Sequence, residues 1–272
     1  MKYLGPGSKR GIRTRSVPAT ADITELTDLE EGEMLHPEYR KLLGKIGWLA
    51  GMTRPDISFA FSYLSRFNSK GGDRHFQKLL DTVKYLAATP NYGLTFRRES
   101  THTIETLIEE TSDLEVGAVQ DGTMVTFSDI THGGEKPMAG WIKTCNGQVF
   151  DWAAYRCPTT PTSVTAGEYI AATIACESSL ASSGALQFLG FTATEQHPII
   201  MCDNLAVVKL SDRDFSAKRL RHMMAKIAFL QEAVEDKKVS LYHVRTTGQL
   251  ADIFTKPLLA STFHMLRAYM VT

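Results

Sequence analysis

Gln249-Leu-Ala-Asp252-Ile-Phe-Thr-Lys256 is the stretch whose reading decides the fold, because it sets one acidic residue inside an otherwise apolar run. Three earlier acids stand in the same relation to apolar runs of their own. They are Asp129 in Val125-Thr-Phe-Ser-Asp129, Glu168 in Thr165-Ala-Gly-Glu168-Tyr and Asp203 in Ile199-Ile-Met-Cys-Asp203-Asn. Four carboxylates on four separate elements point to one site that binds divalent metal, since hard oxygen donors suit such an ion.

The pattern around these acids gives the order of elements. Met124 to Ser128, Met138 to Cys145 and Gln148 to Tyr155 read as strands, the last two joined at Asn146-Gly147, a strong two-residue hairpin signal. Thr165 followed three residues later by Glu168 matches a capping box, and Ile170, Ile174, Glu177 and Leu180 continue at helical spacing until Gly184. His197 to Cys202 reads as a short buried strand and Leu205 to Leu210 as a short helix. Ala217 to Val234 follows as a long helix, Ser240 to Val244 as a strand, and Gln249 to Thr255 as a helical turn closed by Pro257. The second part of the chain, 123–272, is therefore an α/β domain that opens on a three-stranded antiparallel meander.

Upstream the period changes. Tyr39, Leu42, Leu43, Ile46, Leu49 and Ala50 recur at intervals of three and four, the buried stripe of an amphipathic helix. Thr53-Arg-Pro55-Asp56 starts a second helix, with proline in the first turn and the acid near the positive end of the dipole. Lys70-Gly-Gly72 breaks the chain, and Asp73 to Ala88 gives a third helix. Residues 37–96 thus form a small helical domain, ending in a strand-like Tyr92-Gly-Leu-Thr-Phe96. Residues 1–36, with little apolar periodicity, read as an extended arm, and the acid-rich 97–122 as a linker or insertion.

Composition bounds the partners. Thirty basic and thirty acidic side chains cancel, so a nucleic-acid contact has to come from a local basic patch. Cys145, Cys157, Cys176 and Cys202 have no Cys-x-x-Cys spacing, which disfavours a zinc ribbon or finger. No apolar run reaches the roughly 18 residues of a membrane span, and no signal-peptide core follows the basic start. The expectation is a soluble intracellular protein with no membrane partner.

The order of strands, helices and acids resembles the ribonuclease H fold, a mixed five-stranded sheet flanked by helices. Tyr39-Arg-Lys-Leu-Leu-Gly44, Leu49-Ala50, Thr53-Arg-Pro-Asp-Ile57, Leu64-Ser-Arg-Phe67, Cys202-Asp-Asn204 and Gln249-Leu-Ala-Asp-Ile-Phe-Thr-Lys-Pro257 resemble a narrower family, the C-terminal third of the polyprotein of copia-type LTR retrotransposons. The resemblance covers roughly 37–96 and 123–267. It implies a thumb- or connection-like helical domain ahead of a ribonuclease H domain. It also implies that Asp129, Glu168, Asp203 and Asp252 are metal-binding catalytic carboxylates for two Mg²⁺ ions, with Mn²⁺ as a substitute. Such a pair activates a water and stabilises the leaving 3′ oxygen of the RNA strand in an RNA/DNA hybrid. His243 is then a candidate for product release, beside its reading as a merely packed histidine. Lys218, Arg219, Arg221 and His222 are candidates for phosphate contact, beside their reading as a solvated helix face. Singly, Glu168 also reads as the partner of Thr165 in a capping box and Asp203 as the start of a helix.

The sequence departs from the family where Ile130-Thr-His-Gly-Gly134 and Ser163-Val-Thr-Ala-Gly-Glu-Tyr169 stand, which spares the acids and alters their neighbours. The polymerase signature Tyr-x-Asp-Asp is absent. Two functions follow. One is an endonuclease for RNA/DNA hybrids, acting in a cytoplasmic retroelement particle or in the nucleus. The other is a domesticated, catalytically weak or inactive remnant that binds protein or nucleic acid. On either reading a polymerase palm and fingers part, or another protein, is expected to dock on the helical domain. A start at Met1 without a palm adds to the second, and an exposed patch on Ile57, Phe61 and Leu64 would support it. Nucleic-acid binding without cleavage is a third possibility.

Overall fold

The computed structural model describes residues 14–97, 103–115, 117–131, 137–192, 196–210 and 224–272. The chain divides into two compact units, one formed by the chain up to Thr95 together with Lys256–Thr272, the other by Phe96–Thr255.

The first unit is helical. α1 (Tyr39–Met52) buries Tyr39, Leu42, Leu43, Ile46 and Ala50, the stripe that the spacing predicts. A single 3₁₀ turn over Pro55–Ile57 leads into α2 (Ser58–Ser65), and α3 (Asp73–Ala88) follows the glycine break. α1 and α2 cross closely at Gly47, where a β-carbon would meet the Phe61 ring at 2.5 Å. The Thr-Arg-Pro-Asp stretch is explained by a buried ion pair. Arg54 donates from Nε to Asp56 Oδ1 at 2.9 Å and from Nη2 to Asp56 Oδ2 at 2.8 Å, and Nη1 reaches the Thr89 carbonyl at 2.9 Å. Tyr85 adds its hydroxyl to Asp56 Oδ2 at 2.5 Å. The ion pair is thus backed by Tyr85 on α3 and Thr89 just after it, the kind of hydrogen bonding a buried charge requires.

Two expectations for this unit are corrected. Ile57 and Leu64 are fully buried and Phe61 half-buried, so no apolar patch stands open on these residues. Tyr92 to Phe96 is not a strand; among the described residues its ladder-like contact is the pair of bonds between Gly93 and Thr272, at 3.2 and 3.3 Å. The described part of the expected arm is laid on the helices from Thr14 on and includes a 3₁₀ helix over Ala21–Glu25: Ile23 is buried, Thr82 donates to the Pro18 carbonyl at 3.1 Å, and His75 Nε2 lies 2.9 Å from the Thr27 carbonyl.

The second unit opens with α4 (Thr103–Thr111), which buries Ile104, Leu107 and Ile108. Part of the stretch whose place the sequence left open is thus a helix. β1 (Met124–Ile130), β2 (Met138–Cys145) and β3 (Gln148–Arg156) form the antiparallel meander. Asn146 and Gly147 take positive φ of 51° and 67°, the pair a two-residue hairpin of this twist demands. α5 (Val164–Phe188) then crosses to β4 (Ile199–Cys202). α6 (Leu205–Leu210), α7 (Met224–Glu235), β5 (Ser240–His243) and α8 (Asp252–Thr255) complete the unit. The part of the expected long helix that precedes Met224 lies outside the described residues.

β4 runs parallel to β1 and β5 parallel to β4, giving the order β3-β2-β1-β4-β5. This is the mixed five-stranded, helix-flanked sheet of the ribonuclease H-like class. One face of it, with Ile130, Ala139, Ile200 and Cys202, packs on Tyr169, Ile170, Ala172 and Cys176 of α5 and Ile227 and Leu230 of α7.

α5 corrects two details. Its cap is Ser163, whose hydroxyl accepts from the Ala166 N–H at 3.1 Å, so Thr165 is already helical and the capping box with Glu168 does not form. The helix also runs past Gly184, an exposed position where a β-carbon would meet only open space, and ends where Gly190 takes a φ of 76°. At Lys256 the chain returns to the first unit. There α9 (Ala260–Ala268) sets Phe263 edge-on to Tyr85 at 5.7 Å and stacks Arg267 on Tyr92 at 4.5 Å. Among the described residues no helix is long and apolar enough to cross a membrane.

Candidate active site

Strand register brings the first two acids together. β1 and β4 are parallel neighbours with Val125 beside Ile199 and Phe127 beside Met201. The same offset carried two residues on sets Asp129, still in β1, beside Asp203, the first residue after β4. Side chains alternate along a strand, so Asp129 points away from the face that α5 covers with Ile130.

α8 occupies that other face, and Gly140 lets it do so. Gly140 pairs with Asp129 across the ladder, and a β-carbon on it would lie 2.6 Å from both the Ala153 carbonyl and Phe254 Cβ. Phe254 is fully buried here. The residues of the opening motif then divide their tasks. Leu250, Ala251 and Ile253 fill the core. Gln249 donates from Nε2 to the Ser128 carbonyl at 3.0 Å and accepts the Ala251 N–H on Oε1 at 3.2 Å. Thr255 donates its hydroxyl to Asp129 Oδ2. Asp252, between them, meets Asp129 and Asp203: oxygens of the three carboxylates all lie within 4.8 Å of one another. Thr246 completes the surround with a 3.4 Å bond to Asp203 Oδ2.

The other candidates are placed differently. Glu168 is buried on α5 and is not one of the converging group. It lies close enough to act on Cys202, whose thiol is pushed far up by burial and further by the charges of Glu168 and Asp203. His243 pairs with Cys202 across β4 and β5, and its Nδ1 lies 3.8 Å from Asp113 Oδ2, outside the carboxylate group. Lys218, Arg219, Arg221 and His222 lie outside the described residues. Sequence reading missed Gln249, Thr255, Thr246 and Gly140. The spacing held the signal for Thr255, since a residue three beyond Asp252 shares its side of a helical turn.

The donor set fits a hard divalent cation. It consists of carboxylate oxygens alone, drawn from three backbone elements, and three like charges at this range repel unless a cation lies between them.

No protein-family model matches the chain. It is similar to the Pol polyproteins of two Arabidopsis thaliana retrotransposons, RE1 at 30% identity over 83% of the chain and RE2 at 29% over 81%. It spans 14% of the length of each. Among solved structures, LC11-RNase H1 in complex with an RNA/DNA hybrid aligns with 49% of this chain and 94% of its own, at 18% identity and a TM-score of 0.37. The fold class rests on the strand order rather than on that likeness. The kinship read from the sequence is borne out, in that the chain is a relative of a stretch of copia-type Pol polyproteins.

Proposed function

We propose that the chain is an endonuclease that hydrolyses the RNA strand of RNA/DNA hybrids. The observation that carries this is the meeting of Asp129, Asp203 and Asp252 from β1, the end of β4 and α8. Their oxygens would hold Mg²⁺ or Mn²⁺, and Glu168, buried on α5 outside the converging three, is the fourth carboxylate we propose for the metal. Two such ions, when bound, supply an activated water and stabilise charge on the phosphate. The protein's own share is to fix the ligands. Asp129 is held by the β1 ladder and the Thr255 hydroxyl, Asp203 by Thr246, and Asp252 by the seating of α8 on Gly140.

Substrate choice on this reading rests on the 2′-hydroxyls of one strand and the phosphates of both. Lys218, Arg219, Arg221 and His222 are the phosphate contacts we propose. His243, one strand away from Asp203, is the residue we propose for product release. The chain then acts inside cells, where such hybrids form.

The test is cleavage of a labelled RNA/DNA hybrid with Mg²⁺, beside single-stranded RNA and duplex DNA. Hybrid-specific cutting that disappears in Asp129→Asn, with the fold retained, is the expected result. Equal cutting by that variant would overturn the site, and no cutting by folded wild-type protein in either metal would overturn the function.

A further inference from the structure

We propose that Gln249 and Thr255 are positioning residues that clamp Asp129 from two sides and so set the geometry of the cation site. The inference rests on the nuclease reading and extends it to two residues that are not ligands.

Both side chains are buried, Gln249 fully and Thr255 to 1% exposure. Neither position needs polarity for packing, since the neighbours Leu250, Ala251, Ile253 and Phe254 are apolar and equally buried. A buried amide or hydroxyl costs stability unless its hydrogen bonds are made. Here they are made at one place. Gln249 Nε2 holds the carbonyl of Ser128, the residue before Asp129, while Thr255 Oγ1 holds the Asp129 carboxylate itself. The Thr255 hydroxyl also lies 3.3 Å from the main-chain carbonyl of Asp252, which ties it to its own turn of α8. Gln249 is folded onto its own segment through the Ala251 N–H, which stiffens the clamp.

The consequence is that the 249–255 segment does two things. It brings in Asp252, and it fixes the backbone before Asp129 and the rotamer of its carboxylate. Asp129 has one oxygen engaged by Thr255, which restrains rotation of its carboxylate. Loss of a hydrogen-bond partner behind a metal ligand costs roughly 10- to 100-fold in metal affinity or activity.

The experiment uses the full chain and three variants, Thr255→Val, Thr255→Ser and Gln249→Leu. Mn²⁺ binding is followed by water-proton relaxation, hybrid cleavage as a function of metal concentration, and folding by thermal melting. Thr255→Val keeps the shape and removes the hydroxyl. It is expected to bind Mn²⁺ about 10-fold or more weakly and to need correspondingly more metal for cleavage. Thr255→Ser, which restores the hydroxyl, is expected to restore affinity. Gln249→Leu should weaken Mn²⁺ binding in the same sense. Wild-type affinity in Thr255→Val, or an equal loss in Thr255→Val and Thr255→Ser that tracks a fall in melting temperature, would overturn the positioning role. Wild-type protein that neither binds Mn²⁺ nor cuts would remove the nuclease reading itself, an outcome visible before any variant is compared.

Discussion

Replacing Gly140 by alanine should damage the site more than the fold. The added β-carbon lies 2.6 Å from the Ala153 carbonyl and 2.6 Å from Phe254 Cβ, about 1 Å inside ordinary contact. The carbonyl belongs to β3 and is held by the β2–β3 ladder, so it does not yield. The element that can yield is α8, four residues long. Phe254 stands two residues after Asp252 and one before Thr255, so pushing its ring off the sheet carries both away from Asp129. Overpacking of this kind costs about 1–3 kcal/mol. For a chain of this size that is a fall of roughly 2–4 °C in melting temperature per kcal/mol. A misplacement of about 1 Å in a catalytic group can cost on the order of 100-fold in rate.

The assay is hybrid cleavage at saturating Mg²⁺ beside a thermal melt, with Gly184→Ala as the reference substitution. Gly184 lies exposed within α5 with nothing near it, so alanine there should raise stability by about 0.5–1 kcal/mol and leave cleavage alone. A Gly140→Ala protein with wild-type rate and melting temperature would refute the claim that α8 seats through this contact.

Three other outcomes are expected. Asp203→Asn should melt higher than wild type in chelator, because it removes one of three facing charges, and should lose the stabilisation that Mg²⁺ gives wild type; equal Mg²⁺ shifts in both proteins would count against the site. Asp56→Ala leaves the buried Arg54 without its carboxylate and should cost about 3–5 kcal/mol, read as early unfolding of the helical unit by circular dichroism. His75 is buried, takes the Gly72 N–H on Nδ1 and faces the Thr27 carbonyl with Nε2, and burial lowers its pKa below the ordinary 6.5. The unfolded chain therefore binds the proton more readily, so the contribution is fully present above 6.5 and is lost as pH falls through the lowered value. Thermal melts across that range should show an acid slope that flattens in His75→Gln; an unchanged slope would refute it.

The parts of the fold legible in the sequence are those that local chemistry dictates. Asn146-Gly147 named its hairpin because few pairs tolerate two positive φ values, and the α1 stripe named its helix because burial follows a fixed period. The end of α5 was misread at Gly184 because a glycine facing solvent weakens a helix without stopping it, whereas Gly190 stops it by its left-handed backbone. The cap was misread at Thr165 because Ser163, two residues earlier, satisfies the first turn. Of the site, Asp129, Asp203 and Asp252 were visible as acids interrupting apolar runs. Gly140 and Gln249 were not, because their meaning is a contact with residues 114 and 121 positions away in the chain, at Phe254 and Ser128, and no local pattern encodes that.

The geometry also bears on the choice between a nuclease and a binding remnant. With all three carboxylates ionised, each pair within 4.8 Å repels by on the order of 3 kcal/mol at an effective dielectric near 20. Three such pairs approach the whole stability of an ordinary domain, roughly 5–15 kcal/mol. Half-exposed Asp203 is partly screened by water, while Asp129 and Asp252 are buried, so a bound cation would relieve the repulsion most where water reaches least. A module that only binds protein has no use for this arrangement, since facing carboxylates cost stability that a cation site puts to use. The hydrogen bonds from Gln249 to the Ser128 carbonyl and from Thr255 to the Asp129 carboxylate hold this end of β1 within the cluster. Side chains that enforce a repulsive cluster make physical sense when a cation completes it.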